Sequence, residues 1–371
     1  MEVNQSMAIG AHDELGQKVS DYWSTQRVWQ PGKGTQWLEL EAVQRRIAAK
    51  VSGDPAVDWL EYVTTRHCAH RQPVARCLSL GCGEGGLERT LALRGFFVHC
   101  DAYDIAEGSI KLARQSASNM GLDSITYKVV DVNRLQLPPA SYDAIFVHAA
   151  LHHFSNLEGV YSQIQHALKA DAFLACNEYI GPTRFQFPRR QVEAMNVALA
   201  LLPIRYRRYC ESANEPVDDG QPPVNKFVQT IQRFEHLIRR GRAKIQEGAL
   251  WPTVRRKLRE ALFSRLKSPD GACYKLEVAC PTVNDVVTLD PSEAIRSEEI
   301  LPLMQNEFEI IEVKGYGGSL LQFLLAGIAG NFASDDPVSK SLLQMLFQIE
   351  DSLIATGDLQ HDFAVIVARA R

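Results

Sequence analysis

The chain has 371 residues, 46% of them hydrophobic and 23% charged, with a net charge of −4; this is the balance of a globular protein, not of a disordered tail or a polycation. Its longest apolar run, Leu320–Phe332, is interrupted by Gln322, Gly327, Gly330 and Asn331, and it falls short of the roughly 20 residues that a membrane helix needs. Met1–Gln17 is polar and carries acids, unlike a signal peptide, and the eight cysteines include no CxxC pair, so free thiols and a cytoplasmic location are expected.

Residues 1–72 read as a helical N-terminal cap. Trp37, Leu38, Leu40, Val43, Ile47 and Val51 recur near helical spacing, and Trp59, Leu60 and Val63 repeat the pattern. Asp21-Tyr22-Trp23 and Trp29 suit either a flap over a ligand or a surface helix that buries its aromatics. His67-Cys68-Ala69-His70 has no second ligand pair at zinc spacing, so no metal site is expected.

From Arg76 the texture changes. Cys77–Leu80, Phe96–Cys100, Ile125–Val130, Ala144–Val147 and Phe173–Cys176 read as short strands, separated by amphipathic segments at Leu87–Leu93, Ile110–Met120 and Val160–Leu168. Such βαβ alternation is satisfied by a parallel sheet with helices on both faces, placed here over residues 73–181. The alternation stops after Gly181-Pro182. Residues 182–290 read as a helical insertion, broken by a loop at Glu215–Pro223, with Val283–Leu289 as a short strand or loop. Pro182–Lys267 holds 18 Lys+Arg against 8 Asp+Glu, a local +10. That excess suits solvated helix faces or a positive lid over an anionic substrate. Residues 291–371 return to the sheet with strands Phe308–Tyr316 and Phe363–Ala368, around a helical insertion at 319–358. Leu320–Phe332 within it reads first as core, and otherwise as cover for a greasy ligand or as a homodimer face.

The chemistry concentrates at the strand ends. Cys77-Leu78-Ser79-Leu80-Gly81-Cys82-Gly83-Glu84-Gly85-Gly86 runs from an apolar strand into glycines and then a helix. Glycines there permit a sharp turn and close approach of a ligand to the backbone. Gly81-x-Gly83-x-x-Gly86 also fits a dinucleotide-binding loop. The next strand ends in Asp101-Ala102-Tyr103-Asp104-Ile105, with Asp104 at the helix start and Asp101 inside the strand. A carboxylate at position 104 can accept from both hydroxyls of a ribose. At the third strand end, Asp131 can accept from an adenine amino group while Val132 packs beside the ring. A nicotinamide enzyme has no standing need for that second acid.

These segments, with Tyr142-Asp143-Ala144-Ile145-Phe146-Val147-His148-Ala149-Ala150-Leu151-His152-His153, resemble class I S-adenosylmethionine (SAM)-dependent methyltransferases in order and spacing over residues 75–181. The likeness is to the small-molecule group that includes ubiquinone- and sugar-modifying enzymes. It implies a seven-stranded Rossmann-like α/β sheet with an antiparallel edge hairpin. It also implies SAM as cofactor, held by Gly81, Cys82, Gly83, Gly85, Asp104, Ile105, Asp131, Val132 and His148. Ser79 departs from the pattern, since many members carry an acid at that place.

Methyl transfer asks the protein to align nucleophile, methyl and sulfur at roughly 3–3.5 Å and to exclude water. A base is needed only where the nucleophile must lose a proton, a task within reach of histidine at neutral pH. His152, His153 and Glu178, at the ends of the fourth and fifth strands, are the catalytic candidates, with packing or capping as the alternative role. The expected reaction is in-line methyl transfer to a small-molecule or glycan acceptor, anionic or lipid-linked. The competing readings are an RNA methyltransferase, using Arg205, Arg207, Arg208, Arg239, Arg240, Arg242, Arg255, Arg256, Lys257 and Arg259, and a nicotinamide oxidoreductase. Nucleic acid is not the expected partner, because neither base-stacking aromatics nor an RNA-binding fold is recognisable.

Overall fold

A computed structural model describes residues 14–25, 36–210 and 272–371. Period-two alternation places successive side chains along each strand on opposite faces of one seven-stranded sheet. Its strands are β1 Val74–Leu80, β2 Phe97–Asp104, β3 Ile125–Val129, β4 Tyr142–His148, β5 Leu168–Tyr179, β6 Phe308–Gly317 and β7 Phe363–Ala370, in the spatial order β3-β2-β1-β4-β5-β7-β6. β1 to β5 are mutually parallel, and β7 runs antiparallel between β5 and β6. The expected edge hairpin is therefore present, with its second strand inserted next to β5.

The alternation is visible residue by residue. Cys77, Phe146, Phe173, Val365 and Val367 feed a core on one face, and Leu78, Ile145, Leu174 and Ile366 feed a core on the other. α2 (Glu41–Ser52), α3 (Trp59–Cys68), α4 (Gly86–Leu93) and α5 (Glu107–Asn119) cover the first face; α6 (Leu157–Ala167) and α9 (Ile300–Glu307) cover the second. Local signals set several helix starts. Asp58 accepts from Glu61 N at α3, Asn156 from Gly159 N at α6, and Asp336 from Val338 N and Ser339 N at α11 (Pro337–Ala355), whose first residue is proline.

α1 (Glu14–Thr25) lies against α5 through Ser20, whose hydroxyl donates to Ile105 O at 2.9 Å, and Ser24, which accepts from Gly108 N at 3.1 Å. The described part of the expected insertion comprises α7 (Arg189–Leu201) and α8 (Val283–Leu289). α8 corrects the strand-or-loop reading of Val283–Leu289. A capping box, Thr282 with Asp285, satisfies both backbone donors at its start and outweighs the β-branched composition.

Leu320–Phe332 is two short helical pieces, α10 (Leu321–Leu325) and a 3₁₀ turn at Ala329–Phe332. Leu320, Leu321, Leu324, Leu325 and Ile328 are fully buried within the chain, so this stretch is core and not a dimer face. Glu350 on α11 accepts from Leu320 N and Leu321 N and pairs with Arg46 of α2 at 2.8 Å, tying the N-terminal cap to the C-terminal insertion. No helix among the described residues is long and apolar enough to cross a membrane. None of the eight cysteines forms a disulfide.

Candidate active site

A cavity of about 420 Å³ opens at the carboxyl ends of the parallel strands, where the order turns from β1-β2-β3 to β4-β5. Open parallel sheets leave a crevice at such a switch point. Its size lies within the range that holds small ligands. The turns after β1, β2, β3 and β4 supply its floor and sides, and α1 and the 292–295 loop supply the remaining walls.

The β1 turn is built from left-handed backbone. Gly81, Gly83 and Gly85 have φ of +67°, +51° and +77°. A Cβ on Gly81 would come within 2.3 Å of the Ala150 Cβ, and one on Gly85 within 2.4 Å of the Tyr127 hydroxyl. Gly81, Cys82 and Gly83 line the cavity, as does Glu84, whereas Gly85 serves the turn beneath it. Asp104 braces this loop: its Oδ2 accepts from Gly83 N and its Oδ1 from Ala106 N, both at 2.8 Å. Each carboxylate oxygen retains a second acceptor direction, and the group lines the cavity. Burial raises its pKa, against the lowering effect of these backbone donors. Asp101 faces elsewhere, held by Arg76 at 2.6 Å and the Tyr142 hydroxyl at 3.1 Å.

Asp131 Oδ1 accepts from Asn133 N at 3.0 Å, opening a 3₁₀ turn whose buried Val132 also lines the cavity. Ile105 is on the same wall. His148, at the end of β4, faces the cavity with its ring 5.4 Å from that of Trp59. Sequence reasoning thus placed Gly81, Cys82, Gly83, Asp104, Ile105, Asp131, Val132 and His148 around one space. It left α1 undecided between flap and surface helix; Gly16, Val19 and Trp23 of α1 close the cavity. Trp29 lies outside the described residues.

The three catalytic candidates separate. Glu178 is 1% exposed and does not line the cavity. Its carboxylate folds back to accept from Ala150 N at 2.8 Å, Leu151 N at 2.7 Å and Tyr179 N at 2.8 Å, and it pairs with His152 Nδ1. It pins the Leu151–His153 turn, which corrects the reading of Glu178 as a group pointing into the pocket. His152 is buried beside it and is likewise absent from the cavity wall. Burial alone would lower its pKa, but the charge and hydrogen bond of Glu178, with Glu293 and Asp290, push it up to about 9. His153 does reach the cavity. Its Nδ1 is 3.0 Å from Ser292 Oγ, and its ring meets that of Trp23 edge-on at 5.1 Å. Burial, then the charge on His152, hold its pKa well below the ordinary value, so it is neutral near pH 7.

Ser292 and Ile295 come from a loop that no sequence signal pointed to. Arg184 anchors this loop by donating to Pro291 O and Glu293 O, both at 2.8 Å, and Ile295 N donates to His152 O at 2.9 Å. Of the basic residues in the RNA reading, Arg207 donates to Ala200 O and Leu202 O, and Arg239, Arg240, Arg242, Arg255, Arg256, Lys257 and Arg259 lie outside the described residues.

Comparison with known proteins agrees with this geometry. Residues 78–176 match a family model described as a methyltransferase domain. The sterol 24-C-methyltransferase ERG6B of Gibberella zeae is 30% identical over 110 residues, 29% of this chain and 29% of that protein. An uncharacterized methyltransferase of Bacillus subtilis, YcgJ, is 27% identical over 105 residues, 28% of this chain and 41% of that one. Geranyl diphosphate C-methyltransferase from Streptomyces coelicolor A3(2) aligns with a TM-score of 0.46 at 10% identity, covering 98% of this chain and 100% of its own. The matched stretch is less than a third of the sterol relative's length. The match and the strand order displace the nicotinamide reading. Over residues 78–176 the chain therefore carries a methyltransferase domain.

Proposed function

We propose that the chain binds SAM in the cavity at the β1–β4 strand ends and transfers its methyl group to a small-molecule acceptor entering beside His153 and Ser292. One observation carries this reading: Asp104 and Asp131, from two successive strand ends, face the same cavity as the Gly81–Gly83 turn. Asp104 would accept from the ribose hydroxyls, and Asp131 from the adenine amino group with Val132 against the ring. His148, at the end of β4, would face the sulfur end.

The sulfonium methyl is already electrophilic and leaves behind a neutral thioether, so alignment and exclusion of water do most of the work. The α1 wall, with Trp23 against His153, supports that exclusion. For an acceptor that must lose a proton, His153 is the base that reaches the cavity, while His152 and Glu178 hold its turn in place. The curated sterol relatives bear the name of a carbon-methylating enzyme. A hydroxyl, an amine or an activated carbon all remain acceptors of this geometry.

Isothermal titration of the full chain with S-adenosylhomocysteine and with NADH tests the cofactor. Saturable binding of the first alone is expected, and tight binding of NADH alone would overturn the proposal. Incorporation of labelled methyl from SAM into cell extracts, read by mass spectrometry, then identifies the acceptor.

A further inference from the structure

Glu293 has no role in the reaction proposed above, yet it stands against His152 and His153, of which His153 reaches the cavity. One ligand atom each from His152, His153 and Glu293 lies within 4.8 Å of the others. The two imidazole centroids are 4.1 Å apart, and His152 Nε2 is 3.6 Å from Glu293 Oε1. Two ligands at about 2.1 Å from a tetrahedral metal ion sit roughly 3.4 Å apart, so this spacing suits a shared cation.

The surroundings are those of a ligand set. A metal-binding imidazole ordinarily has its other nitrogen held by a carboxylate or carbonyl, which fixes the ring and its tautomer. Here His152 Nδ1 is held by Glu178. His153 Nδ1 is 3.0 Å from Ser292 Oγ and 3.6 Å from Asp290 Oδ2. That Asp290 oxygen is buried and makes no hydrogen bond among the described residues, although the residue is only 2% exposed. A buried carboxylate oxygen left in this state is costly unless positive charge is supplied nearby. Glu178, Asp290 and Glu293 bring three negative charges to the cluster, and Arg184, which influences Glu293 and His153, brings one positive charge. Those four groups sum to −2; the proton that His152 carries offsets one of these charges and has to leave before its ring can bind a metal.

The geometry points to a divalent metal site formed by His152, His153 and Glu293, with Glu178 and Asp290 orienting the rings. Two imidazoles and one carboxylate select a first-row transition ion of the zinc, manganese, cobalt or iron type over magnesium or calcium, which take oxygen ligands. His153 and Ser292 are on the cavity wall, so open coordination positions would face the acceptor. An acceptor oxygen bound there would be fixed in place and made more acidic, and His153 would then act through the ion and not as the base. This role rests on the methyltransferase reading; the site itself does not.

The test uses tag-free full chain stripped with a chelator and titrated with Co²⁺ and Zn²⁺. Expected is one equivalent of either ion, with visible d–d absorption for Co²⁺ that marks nitrogen and oxygen ligands. Glu293→Gln and His153→Ala should each weaken binding at least tenfold, and Asp290→Asn about tenfold. Glu293→Gln keeps the side-chain shape, and its thermal melt reports whether the variant is folded. No saturable binding to the wild type would overturn the site. So would unchanged affinity and spectrum in the Glu293→Gln/His153→Ala double variant, because the ion would then sit elsewhere, on cysteine thiols for example. Titration of the same protein with S-adenosylhomocysteine separates the two readings: metal without cofactor binding removes the methyltransferase proposal and leaves the site standing, and cofactor without metal does the reverse.

Discussion

Glu88, on α4 directly beneath the glycine turn, provides a quantitative check on how the cofactor end is built. The side chain is fully buried, and neither carboxylate oxygen has a hydrogen-bond partner among the described residues. Burial raises its pKa from 4.5 to about 7, although the nearby Ser79 hydroxyl and the charge of Arg89 oppose the rise. The folded chain therefore binds a proton on Glu88 between these two values that the unfolded chain has released. The contribution of Glu88 to folding stability is fully present below 4.5 and is lost as pH rises towards 7. At about 1.36 kcal/mol per pKa unit, the contribution lost is about 3 kcal/mol. Glu88→Gln removes the titration and keeps the shape. Its melting temperature relative to wild type should therefore improve between roughly pH 5 and pH 8, by roughly 6 °C at the scale expected of domains this large. Differential scanning fluorimetry in matched buffers reads the difference directly. Equal offsets at both pH values would refute the reasoning, because they would mean that a charged partner keeps Glu88 ionised throughout. Glu88 does not line the cavity, so S-adenosylhomocysteine affinity should change less than about threefold in the variant, well under 1 kcal/mol.

Other substitutions probe the site from different sides. Asp104→Ala should weaken S-adenosylhomocysteine binding by about 1.5–3 kcal/mol in calorimetry, the range for hydrogen bonds to a charged group; unchanged affinity would show that the ribose is held elsewhere. Gly81→Ala should abolish cofactor binding or lower the melting temperature sharply, because its Cβ would meet Ala150 at 2.3 Å. Gly83→Ala meets nothing within 4 Å and should cost only the left-handed backbone penalty of about 1–2 kcal/mol; equal losses in the two variants would contradict the close packing of Gly81 on Ala150. Glu178→Gln should cost about 3 kcal/mol or more in denaturant unfolding, since it breaks a buried pair and turns a donor on backbone N–H groups.

How much of this was legible depended on whether a residue's partner lay in its own turn. Asp104 was separable from Asp101 because a carboxylate beside a helix start has a backbone donor at hand, and it uses that donor, Ala106 N, as well as Gly83 N from the neighbouring β1 turn. The glycine turn and the strand alternation were legible for the same local reason. Glu178 was not. A carboxylate at a strand end looks identical in sequence whether it meets a ligand or folds back onto its own chain, and the Ala150 and Leu151 N–H groups that occupy it come from a turn on the neighbouring strand. His152 and His153 are adjacent in sequence and yet differ in charge state, because one ring meets Glu178 and the other meets Ser292. Their difference is set by residues far away in the chain, which periodicity cannot reach. The short helix Val283–Leu289 is the opposite case: its capping box at Thr282 and Asp285 is a local signal that the β-branched composition masked. The same distinction explains why the cofactor end of the cavity could be named from sequence and the acceptor end could not. The former is assembled from four consecutive strand-end turns, whereas the latter joins α1, the β4 turn and a loop near residue 292, brought together only by the assembled fold.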